Sequence, residues 1–187
     1  MNRFQKLGKP DLDRIGGKPN ATRASRQMLT NIVRHNHVAE DYMYKHLLIA
    51  TDGSELAAKA VQQGLALAKA LNVQVTGVTV TEPWTTMATG EFAIAFPYDQ
   101  YEKIAAANAA KVLSGFVDAA TTSGVECETV HVKDQFPAEG IIETANSLGC
   151  DLIVMASHGR HGLMRLMLGS QASKVVAKST VPVLICR

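Results

Sequence analysis

From Lys45 to the C-terminus, short apolar runs alternate with stretches of helical period, and this alternation restricts the chain to few folds. His46-Leu47-Leu48-Ile49-Ala50 is too brief for a helix and is ended by Thr51-Asp52-Gly53. Ser54 can cap a following helix, with Glu55 favourable in its first turn. Val61, Leu65 and Ala68 then recur at helical spacing up to Leu71. Val73 to Thr81 is rich in β-branched residues and predicts a second strand, ended by Glu82-Pro83. After an irregular stretch holding Trp84, Gly90 and Pro97, an Ala-rich helix is expected from Tyr98 to Thr122, with Gly124 as its left-handed stop. Val125 to Val132 predicts a third strand. Pro137 opens a third helix with Ile141, Ile142 and Ala145 facing inward and Gly149 closing it. Leu152-Ile153-Val154-Met155 has the continuous apolar character of a strand covered on both faces. A fourth helix starts near Ser170, and Val181 to Cys186 forms the last strand. Five strands separated by four helices predict an α/β fold, a doubly wound parallel sheet with helices on both faces.

Charge divides the chain where the pattern does. Residues 1–40 carry eight Lys/Arg against Asp11, Asp13 and Glu40, whereas the rest carry eleven against fourteen acidic residues. The basic excess therefore belongs to a segment, residues 1–42, that also holds Gly8, Pro10, Gly16, Gly17, Pro19 and Asn20 and reads as a flexible arm. Met28, Ile32 and Val33 give it one weak amphipathic stretch. It lacks the aromatic interleaving of a single-strand platform, so nucleic acid is not the expected partner. It also lacks the apolar stretch of a signal peptide, and its acidic residues disfavour a transit peptide. Met43-Tyr44-Lys45 leads directly into the first strand, so Met43 is an alternative natural start. The body, residues 43–187, is expected to be one domain. No apolar run reaches the roughly 18 residues of a membrane span. Cys127, Cys150 and Cys186 form no C-x-x-C pair and suit a reducing, cytoplasmic setting.

In doubly wound sheets the ligand crevice lies beyond the carboxyl ends of the strands, where strand order reverses. The residues there are Thr51 to Ser54, Val80 to Pro83, and those after Met155. Ala156-Ser157-His158-Gly159-Arg160-His161-Gly162 leads on to Leu168-Gly169-Ser170 at the start of the last helix. The unpaired N–H groups of that helix start and the Ser170 hydroxyl can receive an anion. Asp52 is an acceptor suited to ribose hydroxyls. The same residues serve turns and helix starts in chains that bind nothing, so the pattern alone leaves both readings open.

The run from Tyr44 to Ser54 resembles the opening of a universal stress protein domain. Asp151 to Gly159, the Leu168-Gly169-Ser170 step and the closing Val181-Pro182-Val183-Leu184 resemble that family's end. The resemblance covers about residues 43–187 and implies the adenine nucleotide α-hydrolase-like version of the fold. Its ATP-binding members carry G-x-x-G, nine residues, then G-[ST]. Gly159, the nine residues from Arg160 to Leu168, and Gly169-Ser170 match that pattern, while Ala156 takes the place of the first glycine. The resemblance implies ATP or a related adenine nucleotide, with Mg2+ as the accompanying ion. Asp52 would take the ribose, the main chain near Val80 the adenine, and the amides of Gly159, Gly169, Ser170 and Gln171 the phosphates. The Ala156 methyl is expected to face the sugar and α-phosphate region. A residue leaving a strand has the negative φ that alanine tolerates, so binding survives the replacement. The resemblance also implies a homodimer joined through the edge strand Val181–Cys186, and a regulatory role in stress response with little catalysis. The alternatives are a nucleotide-free interaction module of the same fold and, third, a slow nucleotide hydrolase.

Other chemistry finds no support. Both Gly-Lys pairs, at 8–9 and 17–18, are followed by Pro, so no Walker motif is present. His158 and His161, and His35 and His37, are too few ligands for a metal site. Arg160 and His161 are expected to be solvated loop residues. Ser157 beside His158 is expected not to form a dyad, because successive side chains diverge. Cys150 and Cys186 adjoin or lie in buried strands and are expected to be inert thiols.

Overall fold

A computed structural model describes residues 44–86, 97–159 and 168–187. The arm of residues 1–42 with its Met28–Val33 pattern, Gly90 within the irregular stretch, and Arg160 and His161 lie outside the described residues. The elements are β1 (His46–Ala50), α1 (Glu55–Leu71), β2 (Gln74–Val80), a 3-10 turn (Trp84–Thr86), α2 (Tyr98–Ser123), β3 (Glu128–Val132), α3 (Pro137–Ser147), β4 (Leu152–Ala156), α4 (Ser170–Lys178) and β5 (Val183–Cys186). All strand pairs are parallel, in the order β3-β2-β1-β4-β5. The chain winds outward from β1 to β3, then crosses back to place β4 on the other side of β1. Strand order therefore reverses between β1 and β4.

Right-handed crossovers put helices on opposite faces on either side of such a reversal. Two apolar clusters follow from this. On one face Leu47, Ile49, Leu152 and Val154 meet Val61 and Leu65 of α1 and Phe116 and Ala120 of α2. On the other, Leu48, Ile153 and Met155 meet Ile141 and Ala145 of α3 and Ala172 and Val175 of α4. Central strands covered on both faces explain why β1 and β4 read as unbroken apolar runs. Of the α3 residues expected to face inward, Ile141 and Ala145 are buried, while Ile142 packs partly buried against the same cluster.

Three predicted strands start later than the β-branched runs indicated, and in each the first apolar residue of the run is held by a local hydrogen bond. α1 and α2 end in left-handed caps at Asn72 and Gly124, after which Val73 N–H donates to the Ala68 carbonyl and Val125 N–H to the Ala120 carbonyl. This 6→1 bond spends the donor of the first apolar residue on the helix, so β2 begins just after Val73, at Gln74, and Val125 stands outside β3, which runs from Glu128. Gly149, also left-handed, closes α3 in the same way, with Cys150 N–H donating to Ala145. Val181 exchanges two hydrogen bonds with the Ser179 hydroxyl, which delays β5 to Val183. At the amino ends of the central strands, the Asp151 carboxylate accepts Lys45 N–H at 2.7 Å and His46 N–H at 3.1 Å.

Candidate functional site

β1 ends with Thr51 N–H donating to the Val78 carbonyl at 2.9 Å. The chain then turns sharply. Asp52 Oδ1 accepts Ser54 N–H at 3.0 Å, Thr51 Oγ1 accepts Gly53 N–H, and Gly53 has a positive φ of 77°. This Asx turn delivers Ser54, whose hydroxyl caps α1 through Ala57 N–H. The Asp52 carboxylate is thereby fixed at the carboxyl edge of the sheet, beside the reversal point.

β4 supplies the facing wall. A Cβ built on Gly159 would lie 2.8 Å from Asp52 Oδ2, so the two strand ends touch and only glycine fits without displacing the carboxylate. Gly169, the N-cap of α4, donates its N–H to the Ser157 carbonyl at 2.9 Å. A Cβ at Gly169 would stand 3.0 Å from that carbonyl oxygen and 3.3 Å from His158 Cα. The start of α4 is thus docked on the exit of β4. α4 carries no side-chain N-cap, and Ser170 at its first position is exposed. Of the predicted site residues, Asp52, Gly159, Gly169 and Ser170 are brought to one edge around the reversal. Val80 ends β2, opposite Val132 of β3 and two residues past Val78, the last partner of β1. Gln171 lies in the first turn of α4, but its side chain turns away to α3, where Oε1 accepts Ala138 N–H at 3.2 Å.

One expectation changes, that for Ser157 and His158. The Ala156 methyl is buried in the cluster with Leu47, Ile49, Val154 and Cys186. Ala156 is still the last residue of β4, so strand alternation points its side chain to the α1 face. Its φ is not positive, as the reading of a tolerated replacement required. Ser157 and His158 do not diverge. The chain bends at Ser157, and its Oγ lies 3.2 Å from His158 Nδ1. Alternation governs residues within a strand, and this pair lies just past one.

A cleft that the sequence did not signal opens at the carboxyl ends of β2 and β3. Thr81, Tyr98, Tyr101, Glu102, His131, Lys133 and Asp134 line it. Thr81 Oγ1 pairs with His131 Nε2 at 2.7 Å, Tyr101 donates to the Glu82 carbonyl at 2.5 Å, and Lys133 pairs with Glu102 at 3.7 Å. Burial and then the Lys133 charge hold the His131 pKa below the usual imidazole value. Burial, then Glu82 and Asp134, push the Tyr101 phenol up. The enclosed space is about 40 Å³, room for a few waters and not for a nucleotide. Its residues come from three elements with no shared motif, so no local pattern could have announced it. Cys150, by contrast, behaves as its sequence position indicated: burial and then Asp151 push its thiol up to about 11, far from a reactive thiolate. Among the described residues no group of three His, Cys, Asp or Glu side chains could hold a metal ion, and no helix is long and apolar enough to cross a membrane.

Comparison with known proteins agrees with the fold. The chain is 33% identical over 149 residues to universal stress protein YxiE of Bacillus subtilis, covering 78% of this chain and all of that protein. It is 29% identical over 163 residues to universal stress protein MJ0531 of Methanocaldococcus jannaschii, 86% of this chain and 89% of that one. Among solved structures, MJ0577, a universal stress protein of the same archaeon, superposes with a TM-score of 0.64 at 27% identity, over 77% of this chain and 96% of that one. UspA of Lactobacillus plantarum gives the same TM-score at 23% identity, over 77% and 98%. The model of the universal stress protein family matches residues 43–187, and the chain belongs to that family.

Proposed function

We propose that this protein is an ATP-binding regulatory module of the stress response, cytoplasmic and homodimeric, that holds its nucleotide rather than cleaving it rapidly. The observation that carries the reading is the convergence of Asp52 with Gly159, and of Gly169 with the exit of β4, at the point where strand order reverses. Asp52 would then take the ribose, the main chain at Val80 the adenine, and the amides of Gly159, Gly169, Ser170 and Gln171 the phosphates, whose charge Mg2+ would offset. Solved structures of the same fold include a universal stress protein in complex with cAMP and the Archaeoglobus fulgidus protein in complex with dAMP, which favours an adenine nucleotide as the ligand class. Burial of the Ala156 methyl supports a crevice that this residue does not fill. Ser157 is only 4% exposed, so its pairing with His158 offers no accessible nucleophile. Three free cysteines suit a reducing compartment.

The test is direct. Protein purified without added ligand and then denatured should release an adenine nucleotide. Mg-ATP at a hundredfold excess over its dissociation constant should stabilise the fold by about 2.7 kcal/mol, a rise in Tm of about 5–10 °C. Absence of both the nucleotide and the shift would leave a nucleotide-free interaction module of the same fold.

The dimer reading rests on β5, an edge strand whose Leu184 is 39% exposed while Val183 packs inward. Among the described residues no strand pairs with its outer edge, and an apolar edge of that kind suits pairing with a second copy. Leu184→Asp should convert dimers to monomers in light scattering without loss of helical signal. A dimer that persists refutes the edge.

A further inference from the structure

None of the residues lining the cleft at the carboxyl ends of β2 and β3 is assigned to the nucleotide. Its titratable groups gather around one imidazole. His131, half-buried on β3, meets the exit of β2 through Thr81, whose Oγ1 lies 2.7 Å from Nε2. α2 brings Tyr98, Tyr101 and Glu102 to the same space, and the exit of β3 brings Lys133 and Asp134. Tyr101 donates to the carbonyl of Glu82, and Trp84 meets Tyr98 edge to face with ring centroids 6.2 Å apart. Lys133 reaches across to Glu102 at 3.7 Å. The first turns of α2 are thereby closed over the segment that leaves β2 and over the end of β3.

The closed cleft disfavours charge on both of its rings. Burial and then Lys133 hold the His131 pKa below the usual imidazole value, and burial, then Glu82 and Asp134, push the Tyr101 phenol up. A neutral imidazole can accept the Thr81 hydroxyl proton or donate to its oxygen, so either tautomer keeps the contact. A charged ring needs hydration, and the enclosed space of about 40 Å³ admits few waters. Lys133 opposes the same charge. Hydrating the ring therefore requires the first turns of α2 to part from the strand ends.

We propose that His131 is a proton-sensitive latch between α2 and the ends of β2 and β3: neutral, it lets the cleft close, and protonated, it opens the cleft and loosens the segment from Glu82 to Thr86. The latch works whether or not the protein holds a nucleotide. Its sign follows from linkage. The closed form takes up this proton less readily than an unfolded chain does, so the closure it supports is complete above the ordinary imidazole value of about 6.5 and is lost as pH falls below it.

Trp84 is the single tryptophan of the chain and stands on the segment in question, so its fluorescence reads the latch in the full-length protein. Between about pH 7.5 and about pH 5 its emission should change, with a midpoint that follows the His131 ring in NMR titration. Amide protection from Glu102 to Ala106, corrected for intrinsic exchange, should fall by no more than about tenfold per pH unit, the limit for one linked proton. His131→Gln cannot charge and should give a flat Trp84 profile at the level of the neutral wild type. Lys133→Met should move the wild-type midpoint upward by about half a pH unit, the size of a partly exposed charge interaction. Trp84 emission that stays constant while His131 titrates overturns the latch. So does a pH response that survives in His131→Gln, which would belong to another group. A helical signal lost in step with the Trp84 change overturns it too, because the event would then be unfolding of the whole domain.

Discussion

Gly77→Val is expected to leave little folded protein, and Gly77→Ala to cost several kcal/mol in urea unfolding. Gly77 lies in the middle of β2, where a β-branched residue would ordinarily be favoured by up to about 1 kcal/mol. Here sterics reverse the sign. A Cβ at this position would stand 2.5 Å from Phe116 Cε1 and 2.6 Å from Cδ1, contacts that real atoms do not make. Phe116 is 2% exposed and anchors α2 on the sheet. Forcing an extra methyl into such a site costs roughly 1–3 kcal/mol, and displacing the ring approaches the roughly 3–5 kcal/mol of Phe→Ala. Set against a typical total of about 5–15 kcal/mol, alanine is marginal and valine exceeds what the domain can absorb. The two positions share one volume, so Gly77→Ala and Phe116→Leu together should be less harmful than the sum of the single changes. Additive effects would show that the ring is not what Gly77 accommodates.

Gly169→Val is expected to weaken Mg-ATP binding by about a hundredfold or more, a loss of about 2.7 kcal/mol. The new Cβ would meet the Ser157 carbonyl oxygen at 3.0 Å and His158 Cα at 3.3 Å. Both are main-chain atoms at a strand end, and neither can swing aside. The start of α4 must then lift off β4, breaking the 2.9 Å bond from Gly169 N–H and moving the phosphate-facing amides away from Asp52. Gly159→Ala should do less, because the atom it crowds is the Asp52 carboxylate, a side chain that can rotate at some cost to the ribose contact. Gly115 of α2 is the control, since a Cβ there meets nothing within 4 Å. Urea midpoints should fall as well in Gly169→Val, because Leu168, Ala172 and Val175 pack in the cluster of the α4 face, so ligand affinity is compared at a urea concentration where each variant is folded. If its ATP affinity equals that of the wild type, the phosphates sit elsewhere.

The architecture was legible because β1 and β4 are covered on both faces and carry unbroken apolar runs. The later starts of β2 and β3 were not, since a 6→1 bond depends on the conformation of Asn72 or Gly124 and leaves no trace in the apolar pattern of Val73 or Val125. At the site, the motif spacing pointed to Gly159, Gly169 and Ser170, and the end of the first strand to Asp52. Their contact became visible only once the strand order placed β4 beside β1. Reading Ser157 and His158 by strand alternation failed because the bend comes one residue after Ala156. The cleft of Tyr101, His131 and Lys133 was missed because its walls come from α2 and β3, which meet only in three dimensions.

The reversal between β1 and β4 also bears on synthesis. Asp52 is made early, whereas Gly159, Gly169 and the first turn of α4 follow more than a hundred residues later. The Asp151 clamp that ties the entry of β1 to β4 spans 106 positions. Contacts of such separation form only after the intervening chain is available, and they slow folding. A nascent chain that has completed α1, β2 and α2 holds Asp52 but neither the β4 wall nor the first turn of α4. If the proposed site holds nucleotide, the ligand can stabilise only a chain in which β4 and the start of α4 are already present, so occupancy would report that both walls of the reversal have been made.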